Sequence, residues 1–284
     1  MVNKLKTVKV PPQFEEIFSK SESFVTDYFK QKDEDPTKGT ITIAGERYIL
    51  VRAASMSVGF FKIISNFFRD KSAEEARVIS ESILFDLAHA IGKADARAFH
   101  EKMNLKDPIE KLSAGPIHFA YTGWAFVDIF PESKPSPDEN FFLIYDHPYS
   151  FESESWVRSG EKTDHAVCIM NAGYSSGWCE ESFGVALVAS EIMCKAKGDK
   201  FDRFIMAHPS KINEYIKKYQ KEAPQGVKIE KYEIPGFLNR KMQEEELRTK
   251  NKTLEEMNAF MVDRELKMIE LKKEIEELKK KSAG

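Results

Sequence analysis

Between Phe237 and Lys281 the chain has no glycine and no proline, and Phe260 is its single aromatic residue; the rest is mostly Glu, Lys, Leu, Met and Ile. Such a composition favours one long helix. Within it Leu247, Leu254, Met261, Met268 and Ile275 recur every seventh residue, and Met257, Leu271 and Leu278 fill the companion position three later. Lys250 and Arg264 hold the other two companion positions, where charge weakens a seam while fixing its register. A stripe two residues in seven wide is too narrow to cover a globular core and suits a parallel dimeric coiled coil. A lone surface helix docked on its own domain is the competing reading.

Upstream, the hydrophobic pattern changes repeatedly. Phe14, Ile17, Phe18, Phe24, Val25, Tyr28 and Phe29 fall at helical intervals after a Pro-Pro start. They predict a leading helix, an arm available to a partner. The segment T-I-T-I-A-G-E-R-Y-I-L-V-R alternates on both sides of Ala44-Gly45, a hairpin signal. Helices are expected from about Ser55 to Phe68 and from about Ala73 to Met103. From Pro116 to Asp146 the β-branched and aromatic content rises, and strands are expected there, from Ser150 to Val157, and from His165 to Met170. A turn at A-G-Y-S-S-G-W then leads into a helix through Cys194, a strand over Asp202–Ala207 and a short helix near Lys211–Tyr219. Together these predict an α+β fold, an antiparallel sheet flanked by helices with the long C-terminal helix as a coiled coil. The expected divisions are an N-terminal helical arm (1–37), a domain (38–209), a linker (210–236) and the coil (237–284).

Composition narrows the function classes. Of 284 residues, 43 are basic and 46 acidic, a formal charge of -3 with no broad cationic field to recruit nucleic acid. The N-terminus has no continuous apolar core of a secretory signal, and no run reaches the ~18 apolar residues of a membrane span. A cytoplasmic location without membrane contact is the expectation. Cys168, Cys179 and Cys194, an odd number at wide spacing, suit reduced thiols or ligands better than a disulfide framework. Phosphate-binding glycine loops, the G-x-S-x-G elbow and the H-E-x-x-H zinc motif are all missing, so no catalytic residue is assigned.

Among six histidines, His118 and His147 stand out because each lies in a stretch dense in rings. Around them, Phe119, Tyr121, Trp124, Phe126 and Tyr149, with Tyr174 and Trp178 further on, could wall a pocket in which a polar donor orients an apolar or aromatic ligand. Plain aromatic core packing accounts for the same pattern. Glu191 and Cys194 stand three apart and supply at most two of the four ligands of a structural zinc site. Alone, the pair reads equally as a solvated acid beside a buried thiol.

With Cys168 ahead of Gly173-Tyr174-Ser175-Ser176-Gly177, and Glu191, Cys194 and Gly198-Asp199 after it, the sequence resembles the 4-vinyl-reductase-type sensor domain of phenol- and toluene-responsive transcription activators. Looser agreement extends from about Gly39 to His208. The resemblance implies a zinc site at Cys168, Glu191, Cys194 and a fourth position, where the family has cysteine and this chain has Asp202. It also implies a ligand-holding pair at His118 and near His147, where the family has a His and a Trp. Related folds occur in tetrapyrrole-biosynthesis proteins and vesicle-tethering subunits, so fold alone does not fix function. The expected function is a bacterial sensory module that binds a small apolar or aromatic ligand and signals through a homodimeric coil to an output domain or partner. A tetrapyrrole-related reductase and a ligand-free adaptor are the alternatives.

Overall fold

The computed structural model describes residues 5–161, 163–222 and 235–282. Residues 5–241 belong to one compact unit, and 242–282 to a second. Residues 223–234 of the linker expected at 210–236 lie outside the described residues; its start is a helix.

The chain opens with β1 (Val8–Lys9) and α1 (Glu15–Phe29), where Phe18, Val25 and Tyr28 are buried along one face. That face packs on a helix of the same chain, so α1 belongs to the first unit rather than standing apart as an arm. A small antiparallel sheet follows, β2 (Lys32–Asp35), β3 (Thr40–Ile43) and β4 (Glu46–Tyr48). Ala44 and Gly45 join its last two strands at φ of 49° and 84°, the left-handed pair a two-residue hairpin requires. After a π turn at Ser55–Gly59 come α2 (Phe60–Phe67) and α3 (Ala73–Lys102), the latter started by a Ser72/Glu75 capping box.

The next segment departs from expectation. Residues 117–121 form the end of α4 (Pro108–Tyr121), not a strand. Asp107 accepts the Ile109 and Glu110 N–H groups and Pro108 takes the first helical position, start signals that outweigh the local β-propensity. The strands begin later, at β5 (Ala125–Ile129) and β6 (Phe142–Ser150). The expected strand at Ser150–Val157 is α5 (Phe151–Ser159), whose buried Glu152, Ser153 and Trp156 recur at helical spacing. The expected strand at His165–Met170 is instead a loop leading into α6 (Ile169–Phe183).

Two further corrections concern the metal-ligand candidates. The G-Y-S-S-G sequence lies inside α6 rather than in a turn, and Glu191 lies on a strand, β7 (Val188–Met193), with Cys194 just beyond. Then β8 (Arg203–Ala207) and α7 (Ile212–Glu222) lead towards α8 (Gly236–Ser282). The main sheet runs β1-β5-β6-β8-β7, antiparallel except for the parallel β1–β5 pair. Both α4 and α6 contact the sheet layer, and α3 packs along α6.

The first turn of α8 is anchored in the first unit. Phe237 and Leu238 are buried, the Phe237 ring stacks 4.5 Å from Phe85, and Arg240 and Lys241 pair with Asp86. In the second unit, Leu247, Leu254, Met257, Met261, Met268, Leu271, Ile275 and Leu278 are 42–60% exposed. Among the described residues no helix is long and apolar enough to cross a membrane.

Candidate functional site

Four residues separated by up to 34 positions meet beside the sheet. Ligand atoms of Cys168, Glu191, Cys194 and Asp202 all lie within 4.8 Å of one another, and every side chain is buried. Local structure explains the convergence. Residues three apart on a regular strand face opposite ways, but a register shift between Glu191 and Met193 breaks the alternation before Cys194. Cys168 precedes α6, whose first N–H groups, at Met170 and Asn171, donate to the buried Glu152 carboxylate at 3.0 and 2.8 Å. The Cys168 N–H donates to Glu191 Oε2 at 2.9 Å. Asp202 Oδ2 accepts the Ser153 hydroxyl at 2.6 Å and Oδ1 the Lys195 N–H at 2.8 Å.

The cluster gathers four acidic groups beside a single ion-paired ammonium. Burial pushes the Glu191, Asp202 and Cys168 pKa values up, most strongly at Glu191 and Cys168. Burial also opposes the Cys194 thiolate, but the hydrogen bond from Cys168 makes Cys194 the thiol that ionises first. The Lys195 ammonium, 3.5 Å from Asp202, is the cation at hand. Glu191 Oε1 is buried without a hydrogen-bond partner. A tetrahedral zinc with arms of ~2.0–2.3 Å would set ligand atoms roughly 3.3–3.8 Å apart. Two thiols and two carboxylates with ligand atoms within 4.8 Å, one of the carboxylates carrying an unpartnered oxygen, fit such an ion.

A cavity of about 40 Å³ lies alongside, lined by Leu112, Gly115, Pro116 and Phe119 of α4, by Tyr174, Ser175, Trp178 and Cys179 of α6, and by Val127, Ile129, Leu143, Tyr145 and Met206 of the sheet. Alternation along β6 puts Leu143, Tyr145 and His147 on one face. The Tyr145 hydroxyl and both His147 ring nitrogens are buried without partners. Burial holds the His147 pKa down to about 3, so the ring is neutral and leaves one donor and one acceptor unpaired.

Behind the cavity wall, the Tyr174 hydroxyl donates to Asp95 Oδ2 at 2.9 Å and lies 2.9 Å from His118 Nδ1. One hydroxyl proton cannot serve both, so His118 donates from Nδ1 and its buried Nε2 is a bare acceptor without a partner. Burial lowers the His118 pKa to about 3.

The ring residues singled out from sequence divide into two groups. Phe119, Tyr174 and Trp178 line the cavity, and His118, His147 and Trp124 pack on them: His118 stacks on Trp178 at 5.5 Å, His147 lies 5.6 Å from Phe119, and Trp124 lies 4.7 Å from Tyr174. His118 is on α4, not on a strand with Trp124. Tyr121, Phe126 and Tyr149 lie elsewhere, on an outer groove; Tyr121 stacks on Phe29, and Phe126 meets Tyr149 edge-on. Sequence reasoning missed Tyr145 and Cys179. The two-residue alternation shared with His147 was the available signal for Tyr145.

Comparison with known proteins shows the fold. No protein-family model and no curated protein matches the chain. Among solved structures, the phenol-responsive sensory domain of the transcription activator PoxR, crystallised with phenol, is similar at a TM-score of 0.57 and 14% identity, over 76% of this chain and 100% of that one.

Proposed function

We propose that this chain is a sensory module that admits a small hydroxylated aromatic molecule to the inner cavity and relays occupancy through a homodimeric coiled coil. The Tyr145 hydroxyl in a largely apolar, ring-lined cavity, and the unpaired His147 ring packed behind its Phe119 wall, carry the reading. Leaving such groups unsatisfied costs about 1–3 kcal/mol each, a cost that a ligand hydroxyl relieves. The fold likeness to a domain crystallised with phenol supports the same class of ligand. A cavity near 150 Å³ accepts benzene in general, so 40 Å³ requires side chains to move on entry. That movement is the event to be signalled.

Zinc at Cys168, Glu191, Cys194 and Asp202 would act structurally in this reading. Its four protein ligands leave no open position for substrate, and it would tie the start of α6 to β7 and β8. The exposed heptad residues of α8 are the surface a second chain would cover, and the segment after Lys241 would lead to an output domain or partner.

The test is calorimetric titration of the full chain with phenol. Binding that weakens roughly tenfold in Tyr145→Phe or His147→Phe, a loss typical of a hydrogen bond in a buried site, supports sensing. Absence of binding, with no small molecule retained on purification, would favour the ligand-free adaptor, a reading to which the small cavity volume also lends weight.

A further inference from the structure

A second chamber of about 540 Å³ opens between α1, the small sheet and α3, and shares no lining residue with the inner cavity. Six rings, Tyr28, Phe29, Tyr48, Phe99, Tyr121 and Trp124, contribute to its wall. Of the two acids on its wall, Glu46 pairs with Lys102, and Asp95 is the one without a cationic partner among the described residues. Lys102 pairs with Glu46 at 2.7 Å, Lys32 with Glu34, and Arg47 donates to the Gly39 carbonyl. Among the described residues, no cation forms an ion pair with Asp95; its recorded partner is the neutral Tyr174 hydroxyl on Oδ2.

We propose that this outer chamber is a binding site for a small organic ammonium ion, with the Asp95 carboxylate as counter-charge and the surrounding rings as a cage for the cation and its apolar body. Aromatic faces attract a cation through their quadrupole, and a carboxylate at the same wall adds a charge-assisted hydrogen bond. The chamber already shows this preference: Lys102 Nζ lies 5.8 Å from the centroid of the Tyr28 ring. Burial raises the Asp95 pKa, which a bound cation would offset. A neutral alcohol or hydrocarbon of the same shape would leave that charge unmatched. The site is separate from the phenol-type site above, and the Tyr174 hydroxyl, donating to Asp95, links the two walls.

The experiment is calorimetry on the full chain at pH 7 with benzylamine and its neutral counterpart benzyl alcohol. Benzylamine should bind at least tenfold more tightly, and Asp95→Asn should remove that advantage while leaving benzyl alcohol unchanged. Equal binding of the two compounds, no benzylamine binding, or an unaffected Asp95→Asn variant overturns the proposal. Should Asp95→Asn fail to fold, Tyr48→Leu removes a ring without the charge; benzylamine binding about fivefold weaker is then expected, and unchanged binding is again contrary. Tyr145→Phe separates the two sites. Benzylamine binding should survive it, and joint loss with phenol binding would place the amine in the inner cavity and end the proposal.

Discussion

Gly177 of α6 faces the backbone carbonyl of His89 on α3 so closely that a methyl group at its Cα would overlap the oxygen. One turn earlier Gly173 meets the Phe85 carbonyl in the same way, and Gly92 of α3 meets Tyr174. The two helices therefore touch backbone to backbone, which fixes Tyr174 and Trp178 against the inner cavity. Gly177→Ala should cost about 3 kcal/mol or more, since neither helix backbone can yield as a flexible side chain would. Urea unfolding measures this. An unchanged midpoint would mean that α3 and α6 can slide apart freely.

The four-ligand cluster predicts a metal content close to one zinc per chain by atomic emission. Thiolate and carboxylate ligands must be deprotonated to bind, so chelator should strip the metal faster at pH 5.5 than at pH 8. Metal loss should lower the thermal midpoint, because the buried Glu191 and Cys168 then lack a counter-charge. Protein that is metal-free as purified yet equally stable would show that Asp202 does not complete the site.

Glu81 makes stability depend on pH in a defined direction. Burial pushes its pKa up to about 7, although Arg77 and the Gly236 N–H favour the charged form. A carboxyl with a raised folded-state pKa binds its proton more tightly when folded, so its contribution is complete below the unfolded pKa near 4.5 and is lost as pH rises through about 7. Glu81→Gln should therefore be more stable than the parent by on the order of 2 kcal/mol at pH 8, with the difference gone by pH 4. Denaturant melts at the two pH values supply the comparison. A constant difference would place the titration elsewhere.

Truncation tests the coil, and the structure shifts where the cut belongs. Phe237 and Leu238 are core residues of the first unit, so removal from Phe237 would damage the domain as well as the coil. A chain ending at Lys241 should keep the thermal midpoint of the first unit and sediment as a monomer, where the full chain sediments as a dimer. Identical sedimentation of the two would exclude the seam as the dimer contact.

Much of the fold was legible because it is written locally. The Ala44-Gly45 hairpin, the helices over 73–102 and 15–29 and the glycine- and proline-free C-terminal helix all follow from turn chemistry, periodicity or propensity. Misassignments came where two local signals disagreed. Ile117–Tyr121 carries β-propensity but sits downstream of an Asp107-Pro108 helix start, and F-E-S-E-S-W alternates like a strand while burying Glu152, Ser153 and Trp156 as a helix does. The Asp107-Pro108 start decided the first, and burial of one helical face against the neighbouring turns and sheet the second.

By itself the sequence determined which residue types were available: two cysteines and two acids at particular positions, two histidines among rings, and a heptad stripe. It could not determine that Glu191 and Cys194 face one way, since that depends on a strand irregularity between them and not on the helical spacing their sequence suggests. Nor could it reveal that the G-Y-S-S-G glycines serve helix contact rather than a turn, or that Tyr145 and His147 lie buried and unpaired beside the cavity. Strand register and helix approach are properties of non-neighbouring backbone, and only the folded chain sets them.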